Sequence, residues 1–462
     1  MIFSSICHID TAYMISGMAV DATLPYANAM LLNMDKTGVV KAIKENSTGL
    51  EYGIFLNNLI VTNQEGLAFT GYVIDTVPTL ILARFSPITD SLVILRYTTP
   101  NTYVYLGNAL IQADDNHFYI AGIKTDNQPV NGNVCLVKID TAGNRIWEKF
   151  YNEYKLDDAR SIIQLSNGNL LIGAFRSDNN FQTQQHANTW LLEVDTGGNI
   201  VRQWFDPNDS TYVAEGLRQT QDGGVIYGAQ KKKQQSVNDV YKSSTIVKLD
   251  SNFNKQWMYD SDTLSPTGFT DIEILPDGSY IACGTKNYRY AWIVKLSATG
   301  QKLWSREYVG IPDWGSQNFL TDIDVLPDGS LIAVGQCQLS GATPPQVGWF
   351  LKLDSNGCEI ENCLVGIEEP APLSVGEGSG VRLFPNPTSS SVTVSLEYEM
   401  LNAVLKVYDV TGKAVKEFQV SSLPAGHAGL QFTIDISDLS KGLYVITAEK
   451  QGKFARAKLV VE

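Results

Sequence analysis

Two stretches of the chain place carboxylates in matching register. "TDIEILPDGSYIACG" (Thr270 to Gly284) carries Asp271 and Glu273, and "TDIDVLPDGSLIAVG" (Thr321 to Gly335) carries Asp322 and Asp324 at the same offsets. Residues two apart on a strand share a face, so each pair projects to one side. Four carboxylates converging in this way could hold a hard cation such as Ca²⁺, which takes only oxygen ligands. The competing reading is that they accept hydrogen bonds from strand amides and water. No other chemistry has its residues in place. His8, His117, His186 and His427 share no motif position, and no G-x-S-x-G, H-E-x-x-H or phosphate-binding loop occurs. No catalytic residue is nominated.

The elements that would position those carboxylates form a repeat. Related stretches begin at Asn108, Arg160 and Glu215, and looser ones at Ser4 and Asn57. Their closing glycines are Gly17, Gly71, Gly122, Gly173, Gly228, Gly284 and Gly335, spaced 54, 51, 51, 55, 56 and 51 residues apart. A period near 50 residues is in the range of propeller blades. Each unit continues into a second half such as "AWIVKLSATGQKLWSREY" (Ala291 to Tyr308). Alternating and β-branched residues mark strands, and Asp-Gly runs mark tight turns. One unit therefore reads as four antiparallel strands, and the repeats predict a β-propeller. The recurrent Trp147, Trp204, Trp257 and Trp304 should fill the gaps between wedge-shaped sheets. First strands line the axis of a propeller. Counting back from turns and glycines puts Ser4, Asn58 or its neighbour, Ala109, Ser161, Gly216, Asp271 and Asp322 there. "KKK" at Lys231 to Lys233 reads as a solvated loop.

Composition limits the partners. The chain has 462 residues with 35 Lys plus Arg against 49 Asp plus Glu. An acidic body repels nucleic acid and anionic lipid. No apolar stretch is long enough to span a membrane as a helix. The N-terminal residues have no basic region of the signal-peptide kind. Of six cysteines, Cys358 and Cys363 lie close together in "DSNGCEIENC". They can bridge only if that segment bends, because an extended strand would hold them about 16 Å apart.

The ending is different. "GIEEPAPLSVGEGSG" (Gly366 to Gly380) has a linker composition. After it come alternating stretches with turns at Thr411-Gly412 and Gln451-Gly452. They predict a small antiparallel sandwich. Within it, "LFPNP", "VYDVTGKAV", "DISDLSKGLYVI" and a terminal "KFARAKLVVE" follow one another in an order that resembles the type IX secretion system C-terminal sorting domain of Bacteroidota. The matching positions are Pro385, Asn386, Pro387, Asp409, Gly412, Lys413, Gly442, Tyr444 and the closing residues from Lys458. The repeats and their "LDSNGC…C" close resemble the propeller cargo found ahead of such domains.

The expected fold is all-β. A seven-bladed β-propeller covers 1–365, a linker 366–380, and a small antiparallel, Ig-like β-sandwich 381–462. The resemblance implies export across the outer membrane, with the secretion machinery and its sortase-like protease as partners. It also implies release from the cell or attachment to its surface, and an N-terminal export signal missing from this sequence. The expected disulfide is Cys358–Cys363. The propeller is expected to bind a glycan or protein without catalysis, with Ca²⁺ as a possible ion. The alternative is a secreted propeller enzyme, glycan-cleaving or quinone-dependent.

Overall fold

The computed structural model describes residues 2–9, 12–20, 27–36, 39–46, 54–64, 66–74, 77–86, 90–99, 102–126, 131–153, 155–177, 187–207, 211–234, 240–264, 268–287, 289–310, 316–338, 346–359, 382–384, 388–396, 403–409, 413–419, 430–450 and 453–461. Every regular element among them is a strand. The chain divides into two compact units, Met1–Val365 and Gly366–Glu462.

In the first unit, consecutive strands pair antiparallel into sheets that follow chain order. The opening strands of these sheets are Ile2–Ile9, Ile54–Val61, Thr102–Gln112, Leu156–Gln164, Thr211–Gln219, Phe269–Ile274 and Gln317–Val325. Each packs beside the next, and the last packs beside the first, so the sheets close a ring around these inner strands. A single parallel bridge, Gly132 to Leu156, joins two neighbouring sheets into one of eight strands. The final sheet shows three strands among the described residues.

The repeated glycine has a steric cause. Most inner strands carry a β-bulge where they pass the closing glycine, as between Leu56 and Asn58 or Leu320 and Asp322. The bulge drives a backbone carbonyl into the space a side chain would take. A Cβ on Gly71 would lie 1.9 Å from Phe55 O, and one on Gly335 1.9 Å from Phe319 O. Only glycine fits there. Apolar clusters fill the space between adjacent sheets. Leu56, Phe69 and Ile81 pack against Met14 and Leu31 of the preceding sheet. The tryptophans sit where the repeat places them. Trp257 lies against Gly300 and Trp304 against Gly357, each on the turn of the following sheet. Lys231–Lys233 differ from expectation. They lie in the strand Val225–Gln234, where Lys231 Nζ pairs with Asp260 (2.7 Å).

The second unit has two antiparallel sheets. One holds Arg382–Phe384, Ser391–Leu396 and Leu430–Asp435, and the other Ala414–Gln419, Val404–Asp409, Gly442–Lys450 and Lys453–Val461. Val392, Val394, Leu405, Val407, Ile434, Ile446, Leu459 and Val461 form the core between them.

Candidate functional site

The inner strands are stitched together by hydrogen bonds that recur with the repeat. In one set, a side chain at the bulge donates to a carbonyl of the next sheet. Asn57 Nδ2 reaches Gly107 O (2.9 Å), Asn108 Nδ2 reaches Ala159 O (2.8 Å), Thr270 Oγ1 reaches Leu320 O (2.9 Å) and Thr321 Oγ1 reaches Phe3 O (3.2 Å). In a second set, a side-chain oxygen accepts a backbone N–H of the next sheet. Leu59 N–H donates to Ser5 Oγ (3.3 Å), Leu110 to Asn58 Oδ1 (2.9 Å), Ile323 to Asp271 Oδ2 (3.3 Å) and Ile6 to Asp322 Oδ2 (2.8 Å). Asp271 and Asp322 thus do what Ser5 and Asn58 do elsewhere in the ring.

The sequence count placed Ser4 at this position, and the structure places Ser5. In the first hairpin His8 pairs with Tyr13, four residues before Gly17, with four residues between them, whereas Val325 pairs with Leu331, four residues before Gly335, with five between them. The shorter turn shifts a count made back from the glycine by one residue.

The four carboxylates have protein partners. Arg218, in the register position of Glu273 one sheet earlier, donates from Nη2 to Asp271 Oδ1 (3.0 Å) and from Nε to Glu273 Oε1 (3.1 Å). Ser5 Oγ donates to Asp322 Oδ2 (2.5 Å). His8 places Nδ1 2.7 Å from Asp324 Oδ2, and its backbone N–H donates to the same oxygen (3.2 Å). Burial, followed by the adjacent Asp271 carboxylate, holds the Asp322 carboxyl well above the usual range. Glu273 is also raised by burial, with Arg218 opposing. Among the described residues, no three His, Cys, Asp or Glu side chains converge so as to hold a metal ion. Their oxygens face Arg218, Ser5, His8 and strand amides. Arg218 and His8 escaped the sequence reading. The Arg218 signal was legible: a cation in register with Glu273 and Asp324 has carboxylates as its nearest charges.

A second polar group lies on the neighbouring inner strands. Asp158 accepts from Arg160 Nη2 (2.9 Å) and from Asn108 Nδ2 (2.8 Å). Glu215, half-buried on Thr211–Gln219, has its carboxyl pushed up to about 7 by burial, with Arg160 opposing and Asp158 adding. Cys7 and His8 are adjacent on a strand and point to opposite faces, so they make no nucleophile–base pair. Cys7 packs against an apolar cluster, and burial raises its thiol.

In the second unit the motif residues shape turns and seat the last strand. Lys413 N–H donates to Asp409 Oδ1 and Asp409 N–H to Lys413 O, both at 3.0 Å, which closes a hairpin turn. Tyr444 is buried and donates its hydroxyl to Ser440 O (2.9 Å), fixing the entry to the strand that begins at Gly442. Thr388 N–H donates to Val460 O (3.0 Å), and Thr388 bridges Val461 in parallel. The segment after the Pro-Asn-Pro motif therefore grips the C-terminal strand. Leu459 and Val461 of that strand point into the core, and Lys458 pairs in register with Val445. Pro385, Asn386, Pro387 and Gly412 lie outside the described residues, as do the linker 366–380 and Cys363. Cys358 is disulfide-bonded, and Cys7, Cys135, Cys283 and Cys337 are not.

A ring of antiparallel sheets with side-chain-stitched inner strands defines a propeller-like body. Its companion is identified by family. Residues 382–462 match the secretion system C-terminal sorting domain, so the chain is a propeller-like cargo that carries the type IX sorting tail. That tail marks it for an extracellular or cell-surface destination. No curated protein matches the chain. Among solved structures it is similar to PorZ, an essential bacterial surface component of the type IX secretion system of Porphyromonas gingivalis, at 11% identity and TM-score 0.42. That match covers 99% of this chain and spans 59% of the PorZ chain. It is also similar to the periplasmic gluconolactonase PpgL of Pseudomonas aeruginosa (11%, TM-score 0.48, 75% of this chain, 97% of that one). A further likeness is to the β-propeller domain of the Trilobed protease from Pyrococcus furiosus (9%, TM-score 0.42, 76% and 96%). In the described residues no helix is long and apolar enough to cross a membrane.

Proposed function

We propose that this protein is a surface or secreted binding module. It is built as a seven-bladed propeller on residues 1–365 and exported through an Ig-like tail that the type IX machinery reads and its protease removes. The match over residues 382–462 carries this reading. The clasp between Thr388 and the last strand supports it, because it ties the strand Lys453–Val461 to the segment that follows the Pro-Asn-Pro motif in sequence. Pro385, Asn386, Pro387, Asp409, Gly412, Lys413, Gly442, Tyr444 and Lys458 are its proposed recognition elements, and Cys358–Cys363 the proposed bridge. The ligand is a glycan or a protein. Binding is favoured over catalysis because the axial carboxylates are engaged in stitching sheets together. The test places the chain behind an export signal in a bacterium with type IX machinery. Intact protein should reach the surface or medium, and a form lacking Lys458–Glu462 should stay in the periplasm. Equal export of both forms refutes the reading.

One observation favours an enzyme. Glu215 is an inner-strand carboxyl poised near neutral pH, as a general acid requires. The Glu215→Gln variant distinguishes the two. It should abolish any glycan cleavage by the purified protein, whereas a binding module has no such activity to lose.

A further inference from the structure

Each inner strand presents a side chain at its bulge, and four of these are used alike. Asn57, Asn108, Thr270 and Thr321 donate from there to the next sheet's carbonyl. The strands Leu156–Gln164 and Thr211–Gln219 carry Arg160 and Glu215 at this level instead. Between those two strands the donation is made by Ser161, whose hydroxyl reaches Ala214 O (2.7 Å). Arg160 reaches Asp158 of its own strand and keeps its side chain 38% exposed. Glu215, once ionised, has no proton to donate. It is half-buried, yet among the described residues its oxygens accept no hydrogen bond, and the charges that act on it are Arg160 and Asp158. Its strand is also irregular. The pairing shifts register on both sides of Glu215, and Val213 takes a φ of +71°. A β-branched residue is strained there, and such strain collects where a fold aims side chains for a task.

Two residues before the bulge the inner strands change character around the axis. Phe55, Leu106 and Phe319 occupy this level on three of them, each half-buried. Phe55 stacks on Tyr72, also half-buried, with centroids 4.8 Å apart and planes at 12°. On Leu156–Gln164 the same level holds Asp158. One end of the axis thus joins an apolar, largely aromatic arc to a charged one. Asn108 links them, donating to Asp158 Oδ1 (2.8 Å).

We infer that this end of the axis binds a short stretch of glycan, with the C–H faces of its sugars on Phe55 and Tyr72 and its hydroxyls on Glu215 and Arg160. A sugar ring has an apolar face and a rim of hydroxyls that both donate and accept. The carboxylate only accepts and the guanidinium only donates, so the pair matches that rim, and the aromatic arc matches the face. An apolar wall with a few convergent polar groups is the usual make-up of a ligand site. The inference rests on the reading of the body as a binding module and names its ligand class and site.

Saturation-transfer NMR and titration calorimetry on the full chain test it, with cellohexaose, maltohexaose, mannohexaose and chitohexaose as probes. At least one should bind, with saturation strongest on its ring C–H protons. Glu215→Ala and Phe55→Ala should each weaken that probe at least about tenfold. Phe55→Tyr keeps the ring and should bind within about twofold of the parent, which separates a lost contact from a lost fold. Phe150→Ala removes an aromatic that is 41% exposed on the outer strand Arg145–Tyr151 and should change nothing. If no probe binds, the glycan inference is overturned, while the export reading, which rests on the tail, stands. If a probe binds equally to the parent, Glu215→Ala and Phe55→Ala, the site is overturned and the module reading stands. A probe that binds through both residues and is then cleaved supports the site and overturns the module reading.

Discussion

At the scale of single residues, the matching carboxylates make hydrogen bonds that join neighbouring sheets. A carboxylate on an inner strand can accept a neighbouring amide as readily as it can ligate a cation, and the two uses look the same in a sequence. What separates them is the partner across the seam, and for Asp271 and Glu273 that partner is Arg218. Adding Ca²⁺ should therefore leave the melting temperature unchanged. A rise that grows with Ca²⁺ concentration would contradict the assignment. Arg218→Met strands two carboxylates and should cost about 2 kcal/mol in a denaturant titration, discounted from a fully buried pair because the guanidinium is partly exposed. Glu215 gives the pH dependence. Its folded pKa, about 7, lies above its unfolded value, so its contribution is fully present below the unfolded pKa and is lost as pH rises through about 7. Glu215→Gln should thus raise the melting temperature at pH 8 and change it little at pH 4. A loss of stability at pH 8 would show that the charged carboxylate is held by the fold.

At the scale of strands and turns, the closing glycines were legible because their cause is local and repeated. The bulge pushes a carbonyl into Cβ space in sheet after sheet. Gly71→Ala should destabilise by about 3 kcal/mol, since neither backbone can move. Gly278→Ala, at a turn with φ of +77° and open space around it, should cost only about 1 kcal/mol. Comparable losses at the two sites would mean that crowding by the bulge does not explain the repeat. The tryptophans and Asp-Gly turns were legible for the same reason, a fixed spacing. The exact inner-strand register was not legible, because a first-hairpin turn shorter by one residue moves Ser4 to Ser5 without disturbing the pattern. Polar pairs between sheets were illegible for a different reason. His8 and Asp324 are 316 residues apart, and nothing local announces that the ring brings them together.

At the scale of the whole molecule, the chain joins two independently packed units with different tasks. The first holds its shape by repetition, with the same bonds in seam after seam. The second packs a small core to which the strand Lys453–Val461 contributes Leu459 and Val461, so losing that strand removes both from the core. This unit carries the sorting tail that serves as the chain's export address. The central claim is that residues 366–462 suffice as that address. The most direct measurement fuses them to an unrelated periplasmic reporter that carries an export signal, and compares type IX-proficient cells with a mutant lacking the machinery. The reporter should appear outside the outer membrane in the proficient cells, cleaved near the linker, and remain periplasmic in the mutant. A reporter that stays in the periplasm of both strains would contradict the account.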